Sequence, residues 1–250
     1  MAVPGLGTLI NAAAIVAGAG LGTVAGHRLP DRVRDTVTDV LGLITLVIGG
    51  LDVASLLDPA LTRAVGARAP LLIMLGALVL GSAAGAALHL ERRLAQVGDW
   101  MQRRLTRDET AGSFSAGFVT ASLVVAVGPL AILGALSDGL GRGIDQLVIK
   151  SVMDGVICVA FGASLGWGVA AAALSVIVVQ GSFTVVGATL GTFLPDAEIA
   201  SISAVGGVLL LGVGLRILNV RPIPVANMLP ALIAGPLLTW IVAISHGLSG

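Results

Sequence analysis

Apolar residues run in long blocks along this chain, broken at intervals by short clusters of charge, Pro and Gly. Blocks long enough for about 20 helical residues, the length that crosses a bilayer, lie near residues 5 to 26, 37 to 57, 69 to 90, 114 to 137, 145 to 164, 168 to 193, 199 to 218 and 225 to 246. The pattern predicts an all-α polytopic membrane protein with about eight transmembrane helices. Its weakest division is Leu165-Gly166-Trp167-Gly168, the one break in a long apolar stretch. A turn there gives two helices over residues 145–193, and a kink gives one. Residues 91 to 112 form the one sizeable polar segment. In it Leu94, Val97, Met101 and Leu105 recur at helical spacing with arginines between them, as in an amphipathic helix lying on the inner leaflet. A solvated linker is the expected role; a regulatory or partner-binding element is the alternative.

Residues 22 to 49 reappear without a gap as residues 187 to 214. Nine of the 28 aligned positions are identical: Gly22/Gly187, Gly26/Gly191, Leu29/Leu194, Pro30/Pro195, Asp31/Asp196, Val40/Val205, Gly42/Gly207, Leu46/Leu211 and Gly49/Gly214. Shared composition explains coincidences of Gly and Leu, but not a Leu-Pro-Asp in register between two apolar runs, and similarity at a fixed offset is the mark of duplication. Positive charge then gives direction, because Lys and Arg are retained on the cytoplasmic side. Arg28, Arg32, Arg34, Arg92, Arg93, Arg103, Arg104, Arg107, Arg216 and Arg221 fall at the first, third and seventh connections, against Arg63, Arg68, Arg142 and Lys150 on the other side. Both termini are expected outside, an alternation that requires eight spans. Spans one and two therefore run opposite to their copies, spans six and seven, and the repeat is inverted. Spans three and eight are weaker third members, each ending near a histidine, His89 and His246.

The organisation expected is a first three-helix repeat over residues 1–90, a cytoplasmic amphipathic linker over 91–112, central helices four and five over 113–165 without counterpart, and a second, inverted three-helix repeat over 166–250. Residues 1 to 26 carry no Lys or Arg and their apolar run exceeds a signal h-region, so they read as a retained first span.

Composition agrees with this pattern. Apolar residues make up 56% of 250 residues, 11% are charged and the mean hydropathy is +1.02, whereas about a quarter of a soluble domain is charged. A net charge of zero leaves no basic face for nucleic acid. The single cysteine, Cys158, lies inside an apolar run, where it reads as a small buried side chain and supplies neither an intrachain disulfide nor a cysteine metal site. Glycines at four-residue spacing, Gly18/Gly22/Gly26, Gly81/Gly85, Gly162/Gly166 and Gly187/Gly191, let helices approach closely, either within the chain or in a homo-oligomer.

Candidate chemistry is concentrated in span five. Lys150 is the one lysine beside thirteen arginines, and Asp154 follows at i+4 on the same helix face. From an external start near Asp145 they lie roughly 7 Å and roughly 13 Å into the membrane. An unpaired charge near the bilayer centre costs about 2.5 to 3.5 kcal/mol, so such residues face a cavity, a partner or both. Lysine, unlike arginine, changes protonation when buried. The pair is therefore either a site where Asp154 binds a cation or proton with Lys150 as internal competitor, or an attractor of anions through Lys150, or a static tie. In span four Gly128-Pro129 breaks the helix and frees a carbonyl at a similar depth, which makes either an ion site or a packing kink. Asn11 in span one, Thr120 and Ser122 in span four, and Gln180, Ser182 and Thr184 in span six are candidate lining.

GASLG at 162 to 166 matches GxSxG, but no base is placed for its serine: His27, His89 and His246 lie near span ends, and Lys150 is about four turns away. There is no HExxH, P-loop or carboxylate cluster. No catalytic role, metal or cofactor is expected.

GTLINAAAIVAG at 7 to 18, GFVTASL at 117 to 123, AILGALSDGL at 131 to 140, KSVMDG at 150 to 155, SAVGGVLLLGVGL at 203 to 215 and NMLPAL at 227 to 232 resemble the bacterial YdfK/YqgA-like membrane proteins, domain of unknown function 554. The resemblance runs over nearly the whole chain. Lys150, Asp154 and Asp138 match its polar positions; Pro129 departs from it, since it implies a small residue there. It implies a multi-pass protein of the bacterial cytoplasmic membrane and no particular substrate. The function expected is a transporter or channel for a small ion or polar solute, with the bilayer and that solute as partners. The alternative is a non-transporting scaffold or interaction protein.

Overall fold

The computed structural model describes residues 4–26, 30–105, 111–126, 129–141, 143–190 and 195–247. They form helices α1 (Leu6–Gly26), α2 (Asp31–Val53), α3 (Pro59–Val65), α4 (Ala69–Ala87), α5 (Leu90–Leu105), α6 (Ala111–Ala126), α7 (Pro129–Gly139), α8 (Asp145–Leu165), α9 (Ala172–Leu190), α10 (Asp196–Ile217) and α11 (Ala231–Gly247), with single 3₁₀ turns at Ala54–Leu57, Gly166–Val169 and Val225–Met228. No strand occurs among the described residues. An all-helical plan is one of the two that lipid permits, since helices satisfy every backbone group internally.

Among the described residues seven segments are long and apolar enough to cross a membrane: Leu6–Gly26, Asp35–Leu57, Ala69–Ala87, Asp145–Val169, Ala172–Thr189, Asp196–Ile217 and Val225–Ser245. The expected fourth span is instead two helices, Phe114–Ala126 and Leu130–Gly139, bent by 79°. Pro129 opens α7, where its missing N–H costs nothing; Gly128 lies outside the described residues. Of the stretch 145–193, the described residues 145–190 hold two helices, α8 and α9. α8 stops at Leu165 because Gly166 takes φ 75°, a left-handed conformation that glycine adopts freely, and a 3₁₀ turn then leads into α9. Of the two Leu-Pro-Asp turns, Asp31 opens α2 and Asp196 opens α10, while Leu29, Leu194 and Gly191 lie outside the described residues. The amphipathic segment is helical over α5; Arg107 lies outside. The sequence reading missed α3, whose Asp58 caps it by accepting from Ala60 N at 2.7 Å just before Pro59.

The chain divides into two compact units, Met1–Leu43 with Leu94–Thr192 and Ile44–Arg93 with Phe193–Gly250. In the first unit α1 and α8 run parallel in close contact. A Cβ on Gly18 would strike the Gly155 carbonyl, one on Gly22 would lie 2.7 Å from Val159 C, and one on Gly26 would lie 2.7 Å from Ala163 Cα. Only glycine permits this approach. α9 runs antiparallel to α1 and also packs on α7, where Gly187 meets Leu136 and Gly139 meets Thr184.

In the second unit α4 and α11 are antiparallel, with Gly81 against Ala231, Gly85 against Asn227 and Gly76 near Leu238. Gly49 of α2 meets Gly207 of α10, and Leu61, Val65, Ile73, Ala197 and Ala200 form a small core. The described glycine ridges named from sequence are thus taken up by packing within the chain, Gly166 by its turn. The start of α5 is pinned there too: the Glu91 carboxylate accepts from Arg216 Nη1 and from Ala226 N at 2.9 Å, and Glu91 N donates to Asn227 Oδ1 at 2.8 Å.

A buried polar cluster on four helices of the first unit

Four apolar helices, α1, α7, α8 and α9, bring their few polar side chains together at one end, where α1 and α8 begin and α7 and α9 finish. Lys150 and Asp154 sit one turn apart on the face of α8 that also buries Leu147, Ser151 and Cys158. The Lys150 ammonium lies 2.9 Å from each oxygen of Asp154, and the two side chains are 8% and 5% exposed. Asn11 of α1, fully buried, donates from Nδ2 to Asp154 Oδ2 at 2.9 Å. Every oxygen of the carboxylate therefore has a partner, the minimum for holding an ion pair away from water.

Asp138, also fully buried, lies near the end of α7. Its Oδ2 accepts from Gly5 N at 3.2 Å and Gly7 N at 3.0 Å, so a carboxylate from a remote helix caps α1. Gly7 packs closely there, since a Cβ would lie 2.6 Å from Leu147 Cδ1 and 2.9 Å from Leu147 Cβ. Gln180 of α9 is fully buried, and Thr184, one turn on, approaches Thr8 of α1 at 3.4 Å between hydroxyl oxygens.

Among the described residues six buried side-chain atoms have no hydrogen-bond partner: Asn11 Oδ1, Asp138 Oδ1, Gln180 Nε2, Gln180 Oε1, Ser164 Oγ and Glu198 Oε2. Four of the six belong to this cluster, which concentrates unmet polar capacity where each unmade bond is costly.

Of the residues proposed from sequence, Asn11, Lys150 and Asp154 are bonded to one another, and Asp138 and Gln180 stand on the neighbouring helices. Ser122 instead pairs with Ser175 at 2.8 Å between α6 and α9, and Thr120 is buried on α6. Ser182 is on the exposed face of α9, its hydroxyl spent on Val178 O. Sequence reasoning missed Thr8, although Thr8/Asn11 at i+3 and Gln180/Thr184 at i+4 are same-face spacings that point to it. It also missed Glu198, buried in the first turn of α10 in the second unit, which has no spacing signal.

A family model described as "Protein of unknown function (DUF554)" matches residues 6–240. The chain is 31% identical over 231 residues, 91% of its length and 93% of the relative's, to "Uncharacterized protein YqgA" of Escherichia coli (strain K12). It is 25% identical over 236 residues, 94% and 96% of the two lengths, to "Uncharacterized membrane protein YdfK" of Bacillus subtilis (strain 168). No solved structure matches.

Proposed function

The chain belongs to the DUF554 family, and from that premise we propose that it is a transporter or channel of the bacterial cytoplasmic membrane for a small ion or polar solute, with Asp154 as the binding carboxylate. The observation that carries this reading is the buried Lys150–Asp154–Asn11 arrangement within helices otherwise apolar. The Lys150 ammonium stands on Asp154 where a permeant cation or proton would stand, at the end of a flexible four-carbon stem. Withdrawal of Lys150 frees the carboxylate, and its return expels the guest; Asn11 holds Asp154 in place throughout. Asp138 sets the position of α1, and through it the position of Asn11. No catalysis is involved.

We take the repeat of residues 22–49 at residues 187–214 to be inverted, which supports the same reading. The packed mates are those that the repeat pairs: α1 lies antiparallel to α9, Gly49 of α2 lies on Gly207 of α10, and α4 lies antiparallel to α11. Inverted-repeat transporters place their sites at the repeat interface near mid-membrane. Here Asn11 and Gln180 lie on α1 and α9, which are mates, while Lys150, Asp154 and Asp138 come from the central helices over residues 113–165. With positive charge retained inside, both termini face outward.

The mutual saturation of Lys150 and Asp154 favours a second reading, a scaffold in which the pair is a fixed tie. Flux of a panel of cations, anions and protons into proteoliposomes separates the two. Transport predicts an ion-dependent flux that Asp154→Asn abolishes in folded protein; absence of flux, with only thermal stability lowered by Asp154→Asn, supports the scaffold.

A further inference from the structure

We infer that Thr8, Asn11, Gln180 and Thr184 form a site for a Na⁺-sized monovalent cation beside Asp154; the site's role in flux rests on the transport reading, but its chemistry does not. α1 and α9 are antiparallel, and Thr8 faces Thr184 across them. Three residues forward on α1 is Asn11, and four residues back on α9 is Gln180, so the two amides stand at one level, a turn further in, on the same facing surfaces. Asn11 and Gln180 are fully buried, and Thr8 and Thr184 are 3% and 5% exposed. The orientation of Asn11 is fixed, because its Nδ2 must face the Asp154 carboxylate. Its Oδ1 is therefore turned away and has no partner among the described residues, nor does Gln180 Oε1.

The donors are two hydroxyl and two amide oxygens. Hard oxygens of this kind take alkali and alkaline-earth ions rather than soft metals. Ca²⁺ and Mg²⁺ draw on carboxylates to balance two charges; of the two carboxylates in the cluster Asp154 is already balanced by Lys150, which leaves Asp138, held by backbone N–H groups alone, so the charge accommodated is single. The hydroxyl separation is compatible with an ion of Na⁺ size. At 3.4 Å the Thr8–Thr184 contact is long for an O–H···O bond, whose usual length is about 2.7–2.8 Å. It is, however, the spacing of two ligands at right angles about an ion bound at roughly 2.4 Å, the range of calcium-sized ions, and Na⁺ is of that size; an ion held at about 2.0–2.1 Å would need a pair about 3.0 Å apart. Asn11 joins the two parts, its nitrogen on Asp154 and its oxygen on the ion. Cation occupancy and the Lys150–Asp154 pair are thereby coupled through one side chain.

The test is equilibrium binding of ²²Na⁺ to the purified full chain in detergent, with K⁺, Li⁺ and choline as competitors. Saturable binding of a single ion, about tenfold or more tighter than K⁺, is expected. Gln180→Met and Thr8→Val should each weaken it about tenfold or more, while Thr184→Ser, which keeps the hydroxyl, should hold it within about threefold. No saturable binding to folded wild type, or binding indifferent to both Gln180→Met and Thr8→Val, overturns the site. Asp154-dependent flux without Na⁺ binding removes this site and leaves transport standing, whereas Na⁺ binding without flux of any ion keeps the site and removes transport.

Discussion

Removing either charge of the Lys150–Asp154 pair should cost far more than removing both. The ammonium lies 2.9 Å from the carboxylate and both side chains are over nine-tenths buried. At an effective dielectric constant of about 20 the attraction is about 6 kcal/mol, and the several kcal/mol per ion needed to take both from water offsets most of it. The intact pair is thus close to neutral relative to apolar side chains of its size. A single substitution removes the attraction but leaves one desolvated charge, at about 3–5 kcal/mol. Lys150→Met leaves Asp154 with Asn11 alone, and Asp154→Asn leaves the ammonium facing an amide; each should cost about 3 kcal/mol or more, the double variant about 1 kcal/mol, giving a coupling of about 5 kcal/mol. Unfolding in mixed micelles, followed by far-ultraviolet circular dichroism and by fluorescence of Trp100, Trp167 and Trp240, yields the four free energies of the cycle. Additive effects, or single variants that cost under about 1 kcal/mol, would mean that the two charges are solvated rather than paired in a desolvated site.

Three other predictions follow from packing and from unmet bonds. Gly22→Ala places a Cβ 2.7 Å from Val159 C and 2.9 Å from Ala163 N, so α1 and α8 must separate at a cost of about 3 kcal/mol or more; Gly181→Ala, which meets nothing within 4 Å, should stabilise by about 0.5–1 kcal/mol, both read in the same unfolding assay. In Na⁺-free buffer Gln180→Met removes two unpartnered buried polar atoms at similar volume and should raise stability by about 1–3 kcal/mol; a variant destabilised there would show that the amide has a structural partner. Glu91→Ala frees Arg216, Ala226 N and the start of α5, costing about 2 kcal/mol and speeding tryptic cleavage at Arg92 and Arg93; unchanged cleavage would place the anchor of α5 elsewhere.

The long apolar helices were legible because a helix in lipid must be apolar along its whole length, so such runs and their helix-breaking residues appear directly in the chain, while the bend that splits the expected fourth span did not. Gly166 marked the end of α8 because a left-handed backbone selects glycine, and Pro129 marked the opening of α7. The i+4 spacing of Lys150 and Asp154 was legible for the same local reason. What the chain hides is partnership across helices: Asn11 and Asp154 are 143 positions apart, and Asp138 caps a helix 131 positions earlier. Ser182 shows the converse. It is polar and at membrane depth, yet its hydroxyl is satisfied by Val178 O one turn back, and composition cannot distinguish such a serine from one that lines a site. Glu91 read as part of a solvated linker because its partners, Arg216, Ala226 and Asn227, come from the far end of the chain.

Ion flux through proteoliposomes carrying the Lys150→Met/Asp154→Asn double variant separates binding at Asp154 from loss of fold, because that variant removes both charges of the pair and leaves neither one buried alone. With Asp154 as the binding carboxylate, wild type passes a small cation, and the double variant, at unchanged helical content, does not. Wild-type liposomes impermeable to every ion tested, or flux undiminished in the folded double variant, would contradict that role.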